Sequence, residues 1–161
     1  MKPAPKTHIM KLIAYALCWL MLAGCFGKKF NAAIQDDGVQ IPPELGLAPD
    51  TLLAVLHGME GYDRILADRV SKYYHGPSKL VTNAELSGPY ADVDTYPYVF
   101  DGDRVYDPAG YSPSGMCYQF YVWDRKSKKQ YRAAIGTSAF ALLMEIYLQK
   151  LEAKRQSNSG H

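Results

Sequence analysis

The sequence lacks the common motifs of enzymes and any apolar run long enough to cross a bilayer. It has no Gly-x-Ser-x-Gly nucleophile motif, no glycine-rich phosphate loop and no His-Glu-x-x-His metal motif. The longest apolar run, residues 12–23, has about 12 residues, whereas a transmembrane helix needs about 20. These absences argue against the familiar catalytic classes and against a membrane-spanning anchor.

The first 25 residues have the three parts of an export signal. Lys2, Lys6 and Lys11 supply a positive start, residues 12–23 supply a short apolar core, and small residues precede Cys25. An ordinary secretory peptide, in which the cysteine is incidental, is the alternative interpretation. We predict that residues 1–24 are removed from the mature protein.

Residues 22–25, Leu-Ala-Gly-Cys, resemble the lipobox of bacterial lipoproteins. The resemblance covers the first 25 residues only, about a sixth of the chain. It implies cleavage before Cys25, attachment of a diacylglyceryl group to Cys25, and N-acylation in a Gram-negative cell. Phe26 stands where an aspartate would favour retention in the inner membrane of enteric bacteria. The resemblance therefore implies an outer-membrane lipoprotein that faces the periplasm.

Removal of residues 1–24 changes the charge of the chain. The whole sequence has 18 basic and 16 acidic residues, and three of the basic residues but none of the acidic ones precede Cys25. The mature part therefore has 15 basic and 16 acidic residues and a formal charge of about −1. Nucleic-acid-binding domains usually have a basic excess or a basic stripe, so we exclude nucleic acid as a partner.

The chain has three cysteines, Cys18, Cys25 and Cys117. If Cys25 is lipidated and Cys18 is removed, no intramolecular disulfide remains, and too few cysteines remain for the usual zinc sites. Cys117 lies in an apolar, aromatic stretch, which favours a buried residue that acts as a small hydrophobe. The alternatives are an intermolecular disulfide or a nucleophile, for which His57, His75 or His161 would have to serve as the base.

Composition divides the mature chain into three parts. Residues 25–48 are rich in glycine, proline and charge, and we predict a lipid-anchored linker in which Ile41 and Leu45 dock onto the domain. Residues 49–156 form one globular domain, since a chain of this size can bury a core without disulfides. Residues 157–161 are polar, and we predict a disordered tail.

The periodicity of the apolar residues predicts an α+β domain. Apolar spacings of three and four predict a helix that Asp50 caps and that ends before Gly76, interrupted near Gly58. The pair Asp101-Gly102 predicts a tight hairpin turn. Alternation predicts strands at residues 117–123 and 129–135, and a wide apolar stripe predicts a helix at residues 138–155. The expected fold is a small antiparallel sheet of hairpins flanked by an N-terminal and a C-terminal helix.

Tyrosine and a basic cluster supply the candidate interaction surface. Twelve tyrosines lie in the mature part, eight of them between Tyr90 and Tyr131, and tyrosine is enriched both in strands and at interfaces. The charged turn after Trp123 contains the densest basic patch, which is either a solvated turn or a contact for an acidic partner or anionic lipid. The predicted surface consists of Tyr96, Tyr98, Tyr111, Tyr121, Trp123, Arg125, Lys126, Lys128 and Lys129.

The carboxylates give little support to a metal site or an active site. Calcium would need six to eight oxygens from a constrained loop, and turn formation explains Asp101 and Asp103 without an ion. Glu60 and Glu85 are the best acids for glycoside hydrolysis, but their spacing gives them no support. The carboxylates considered for calcium are Asp92, Asp94, Asp101, Asp103 and Asp107.

These observations favour a non-enzymatic interaction protein. We predict a lipid-anchored accessory component of a periplasmic or outer-membrane assembly, such as a secretion or transfer apparatus, with a protein partner and no cofactor or metal. The alternatives are a periplasmic enzyme or enzyme inhibitor that acts on the cell wall, and a lipoprotein that binds a small ligand.

Overall fold

Five strands and three helices make up the described part of the chain, which comprises residues 34–35, 38–106, 115–134 and 136–160 of a computed structural model. Within these ranges, no helix is long and apolar enough to span a membrane. The predicted signal segment, Cys25, Asp107 and Tyr111 lie outside the described residues. The elements are β1 (Leu52–Leu56), α1 (Glu60–Tyr73), β2 (Ser78–Thr82), α2 (Asn83–Leu86), β3 (Tyr98–Tyr106), β4 (Met116–Asp124), β5 (Lys129–Arg132) and α3 (Phe140–Ser159).

The strands form one mixed sheet in the order β2-β1-β3-β4-β5. β1 pairs in parallel with β2 and β3, whereas β4 pairs antiparallel with β3 and β5. The predicted α+β class is confirmed. The sheet differs from the expected antiparallel one because the chain crosses over through α1 and returns in the same direction, as parallel pairing requires.

The residues that were predicted to form the first helix instead form β1, a short loop and α1. The stretch Leu52–Leu56 is wholly apolar and almost entirely buried, and a short apolar run of this kind fits a strand covered on both faces as well as it fits a helix. Gly58 has a φ of 72° in the loop that follows. The N-cap of α1 is Met59, so the prediction that Asp50 caps a helix was wrong.

The predicted hairpin at Asp101-Gly102 was also wrong, because β3 continues through both residues. Within β3, Asp101 pairs with Tyr121 and Gly102 pairs with Phe120 of β4. A Cβ atom at Gly102 would lie 2.7 Å from two ring carbons of Phe120. This glycine therefore permits close packing of an aromatic ring on the strand. The Asp-Gly pair, which is typical of tight turns, does not form a turn here.

α1 and α3 cover one face of the sheet. On that face the ring of Phe100 lies 5.6 Å from the ring of Phe120 and 5.7 Å from the ring of Tyr147 in α3. All three side chains are fully buried. α1 reaches the same face through Tyr62, whose hydroxyl would lie 3.3 Å from a Cβ at Gly102.

Residues 83–97, here called the cover segment, lie on the other face of the sheet. They begin with α2, where the Thr82 side chain and Glu85 form a capping box. Beneath them is a small apolar cluster from β1, β2 and β3, consisting of Leu53, Val55, Val81 and Val99. The side chains that pack against this cluster are Leu86, Tyr90, Tyr96 and Trp123.

The described part of the predicted linker is packed onto the domain. Ile34 and Ile41 are fully buried, and Leu45 is 1% exposed, so the predicted docking of Ile41 and Leu45 is confirmed. The Tyr147 hydroxyl lies 2.5 Å from the carbonyl oxygen of Gln40. The described residues from Ile34 onward therefore belong to the domain.

The last helix is longer than expected. α3 continues to Ser159, so residues 157–159, which we predicted to be a disordered tail, are helical. The Asn158 amide donates to the carbonyls of Pro43 and Leu45, and the Ser159 hydroxyl donates to that of Gly46. These contacts tie the end of α3 to the packed linker.

Candidate functional site

The face of β3, β4 and β5 that lies opposite α1 and α3, here called the open face, carries the candidate site. Strand register places Trp123 beside Val99 and Gln130, and places Tyr121 beside Asp101 and Arg132. Unlike the buried helical face, this face is rich in polar side chains. The side chains on it include Asp101, Asp103, Gln119, Tyr121, Trp123, Gln130 and Arg132.

A groove of about 570 Å³ runs where the cover segment meets the open face. Its volume is within the range of ligand sites in proteins. Val93 contributes an apolar side chain that is 37% exposed, and Trp123 contributes a half-buried aromatic ring. The residues that line the groove are Val93, Trp123, Arg125, Lys128 and Gln130.

Arg125 fixes the cover segment in place. Its Nη1 atom donates to the carbonyl oxygens of Tyr90 at 2.7 Å and Tyr96 at 3.1 Å. Its Nη2 atom donates to those of Ala91 at 3.0 Å and Leu86 at 3.5 Å. Arginine suits this position because its planar guanidinium holds several donors in a fixed arrangement. The sequence suggested a binding role for Arg125 but gave no signal of this structural one.

A chain of polar contacts orients Gln130 at the edge of the groove. Arg132 donates from Nε and Nη2 to the Gln130 Oε1 atom, at 3.0 and 2.7 Å. The same guanidinium forms an ion pair with Asp103 at 2.8 Å and lies over the ring of Tyr121. Because the Gln130 oxygen already accepts two hydrogen bonds, the amide offers its nitrogen donors to a ligand.

A second polar cluster on the open face centres on Asp101 and shares Tyr121 with the first. The His57 Nε2 atom lies 2.7 Å from Asp101 Oδ1, and the Tyr121 hydroxyl donates to Asp101 Oδ2 at 3.2 Å. Burial, followed by the nearby Asp101 carboxylate, raises the pKa of Tyr121, so its hydroxyl stays protonated and remains a donor. Sequence reasoning considered His57 only as a base for Cys117 and Asp101 only as a turn residue or a calcium ligand.

The five aromatic residues of the predicted surface do not share one surface in the structure. Trp123 lines the groove, and Tyr96 is half-buried against the cluster beneath the cover segment. Tyr98 and Tyr121 are 5% and 8% exposed, so their prediction as surface residues was wrong. Both lie in the central antiparallel pair of strands, where neighbouring strands and packed side chains cover the rings. Tyr111 lies outside the described residues.

The four predicted basic residues also have different surroundings. Arg125 holds the cover segment, and Lys126 forms an exposed ion pair with Asp94 at 3.3 Å. Lys129 donates to the carbonyl oxygen of Gly38 at 3.0 Å. Lys128 is exposed, lines the groove and has a φ of 58° in the turn between β4 and β5. Of this patch, the groove therefore contains only Arg125 and Lys128.

The carboxylates that were considered as calcium ligands do not form one site. Asp92 and Asp94 lie in the cover segment, whereas Asp101 and Asp103 lie on β3. Across the described ranges, no group of three or more histidine, cysteine or acidic residues could hold a metal ion. Glu60 is in the first turn of α1, and Glu85 belongs to the capping box of α2.

The other candidate residue, Cys117, is 5% exposed, as expected for a small hydrophobe. The Sγ atom of Cys117 would lie 2.8 Å from a Cβ at Gly136, so the two residues are closely packed.

Comparison of the chain with protein families, curated proteins and solved structures finds no match.

Proposed function

We propose that this protein is a lipid-anchored component of the bacterial cell envelope that acts by binding a protein partner through the groove at Trp123. The observation that carries the proposal is the half-buried indole ring in an open groove, beside Arg125 and Lys128. Tryptophan and arginine are the residue types most enriched at the centres of protein interfaces. In this proposal the protein is an accessory factor of a periplasmic or outer-membrane assembly and not an enzyme.

The proposed anchor would keep the groove close to the membrane. Eight residues separate Cys25 from Ile34, where the chain is already buried in the domain. The nine residue-to-residue steps from Cys25 to Ile34 span at most about 30 Å when fully extended. The chain then passes Gly38, whose carbonyl accepts from Lys129 at the start of β5, the strand that also supplies Gln130 to the groove. A partner at the groove would therefore itself be part of, or close to, the membrane.

A photo-crosslinking amino acid in cells tests the binding surface. It would replace Gln130 in the groove and, as the matched control, the exposed Gln149 on α3. We expect one discrete crosslinked product from position 130 and none from position 149, and Trp123→Ala should abolish that product. Equal crosslinking from both positions, or a product that Trp123→Ala does not change, would contradict the proposal.

Cell fractionation tests the anchor separately. The wild-type protein should incorporate labelled palmitate and stay with the outer membrane, and Cys25→Ala should remove both properties. Retention of the label by Cys25→Ala would contradict the anchor without affecting the proposed binding surface.

An enzyme that acts on the cell wall is the second candidate, and the His57–Asp101 pair is the observation that favours it. A histidine 2.7 Å from a carboxylate is the arrangement that acid–base catalysts use. His57→Ala would then abolish function in cells while leaving the crosslink from position 130 intact. If the protein acts only by binding, His57→Ala at normal protein levels should leave function intact.

A further inference from the structure

We propose that the groove at Trp123 binds an acidic peptide segment, in which a carboxylate meets Lys128 and Gln130 and an adjacent apolar side chain packs on Trp123. This inference rests on the proposed function, because it names the chemistry of the partner segment at the same site. It follows from the hydrogen-bonding capacity of the groove.

Among the described residues, the groove offers hydrogen-bond donors and no unoccupied side-chain acceptor. Trp123, Arg125 and Lys128 carry only donor groups in their side chains. The fourth polar residue, Gln130, carries one acceptor oxygen, which already receives two hydrogen bonds from Arg132. A ligand that complements this lining must therefore supply acceptors.

The charge of the lining selects an anion from among acceptor-rich ligands. Arg125 and Lys128 contribute two positive charges, and no carboxylate is among the lining residues that the structure describes. The acids that adjoin the lining residues in sequence are engaged, and of these Asp92 accepts from the Thr95 hydroxyl and the Asp94 amide. Asp124 accepts from the backbone amides of Lys126 and Ser127 and from the Ser127 hydroxyl, and Asp94 pairs with Lys126.

Lys128 is the residue most available to an incoming carboxylate. The Arg125 guanidinium already donates to four carbonyl oxygens of the cover segment. Lys128 makes no hydrogen bond or ion pair within the described part of the chain, and its exposed side chain stands on the turn at the edge of the groove. Complementary charge of this kind contributes mainly to specificity and to the association rate.

The shape and apolar part of the groove favour a peptide over a small anion. The groove is open to solvent, and Val93 and Trp123 give it an apolar wall. An inorganic anion or an isolated carboxylate would leave this wall exposed to water. A peptide with a glutamate or aspartate beside an apolar residue would use both the donors and the wall.

Fluorescence of Trp123 provides a direct test. The chain has two tryptophans, Trp19 and Trp123, so the full chain with Trp19→Phe reports on the groove alone. The probe is a short peptide with glutamates on either side of a leucine, and the control probe has glutamines in place of the glutamates. We expect a saturable change with the glutamate peptide and binding at least about tenfold weaker for the glutamine peptide.

Variants that add negative charge come in matched pairs. Lys128→Glu and Gln130→Glu should each weaken binding of the glutamate peptide about tenfold, since each places a carboxylate that repels the peptide where a donor stood. Lys150→Glu and Gln149→Glu place the same charge changes on α3, outside the groove, and should change binding less than about twofold. Unfolding of each variant in urea confirms that it is folded.

Several outcomes would overturn the inference. These are no saturable change with the glutamate peptide, equal affinity for the two peptides, or an equal effect of the groove and α3 variants. A response to phosphatidylglycerol vesicles or to sodium acetate in the absence of any response to the peptide would also overturn it. If the crosslink from position 130 persists in any of these cases, binding of a protein partner stands and only its predicted acidic chemistry fails.

Discussion

Substitution of Arg125 by methionine should detach the cover segment from the sheet. Methionine has a similar length and keeps the apolar contacts of the side chain but has no donor. Four carbonyl oxygens, those of Leu86, Tyr90, Ala91 and Tyr96, would lose their shared partner.

The magnitude follows from the number and exposure of these bonds. A hydrogen bond that involves a charged group contributes about 1.5–3 kcal/mol to stability. The four bonds share one side chain and are not additive, and carbonyls near the surface regain hydrogen bonds to water when the segment opens. We therefore expect Arg125→Met to lower the free energy of unfolding by about 2–4 kcal/mol, a large part of the usual 5–15 kcal/mol.

Urea unfolding, followed by circular dichroism, measures this change. Hydrogen exchange should also speed up first at the backbone amide of Tyr96, which donates to Asp92 within the cover segment. The control is Lys126→Met on the adjacent residue, whose exposed ion pair with Asp94 should contribute less than about 1 kcal/mol. If Arg125→Met stays within about 0.5 kcal/mol of the wild type, the assignment of Arg125 as the residue that holds the cover segment is incorrect.

Three further predictions concern the contacts between α3 and the rest of the domain. Gly46 and Gly38 both have positive φ, but only at Gly46 would a Cβ lie 2.7 Å from the backbone of Arg155. In urea, Gly46→Ala should therefore cost about 2 kcal/mol more than Gly38→Ala, and equal costs would exclude the steric explanation. Burial raises the pKa of the Glu152 carboxyl, but hydrogen bonds from Arg155, the His75 amide and Gln156 outweigh it, and the pKa lies below the usual 4.5. The stability that Glu152 contributes is present above the unfolded pKa and is lost as pH falls through the lowered folded pKa. Unfolding in urea at a series of acidic pH values should therefore show a weaker pH dependence for Glu152→Gln than for the wild type, and equal slopes would contradict this. Tyr147→Phe removes the hydroxyl beside the Gln40 carbonyl and should lower the melting temperature, with a loss of about 1 kcal/mol; an unchanged melting temperature would contradict this.

Strand β4 and helix α3 could be predicted from the sequence because their patterns are local. Tyr118, Phe120 and Val122 alternate with polar and aromatic residues on β4. The apolar stripe of α3 contains Leu143, Tyr147 and Leu151, all fully buried. In both elements the apolar residues recur at the period of the element, so the sequence alone identified the strand and the helix, and for α3 also the buried stripe.

Strand β1 and the position of Gly102 could not be predicted in the same way. An apolar run of five residues has no period that distinguishes a buried strand from a helix. Gly102 is explained by the ring of Phe120 on the neighbouring strand, a contact that no local rule contains. Both errors arose where packing between distant segments outweighed local propensity.

For the candidate groove, too, the sequence determined some features and the tertiary structure decided the others. The sequence by itself determined the alternation that puts Trp123 on one face of β4, the basic composition of the turn that follows, and the resemblance of residues 22–25 to a lipobox. Only the tertiary structure decided that the cover segment, 29 to 39 residues away in the chain, binds Arg125. That contact leaves Lys128 and Gln130 at the groove, because a guanidinium that satisfies distant carbonyls becomes part of the scaffold and the neighbouring donors stay open to a ligand.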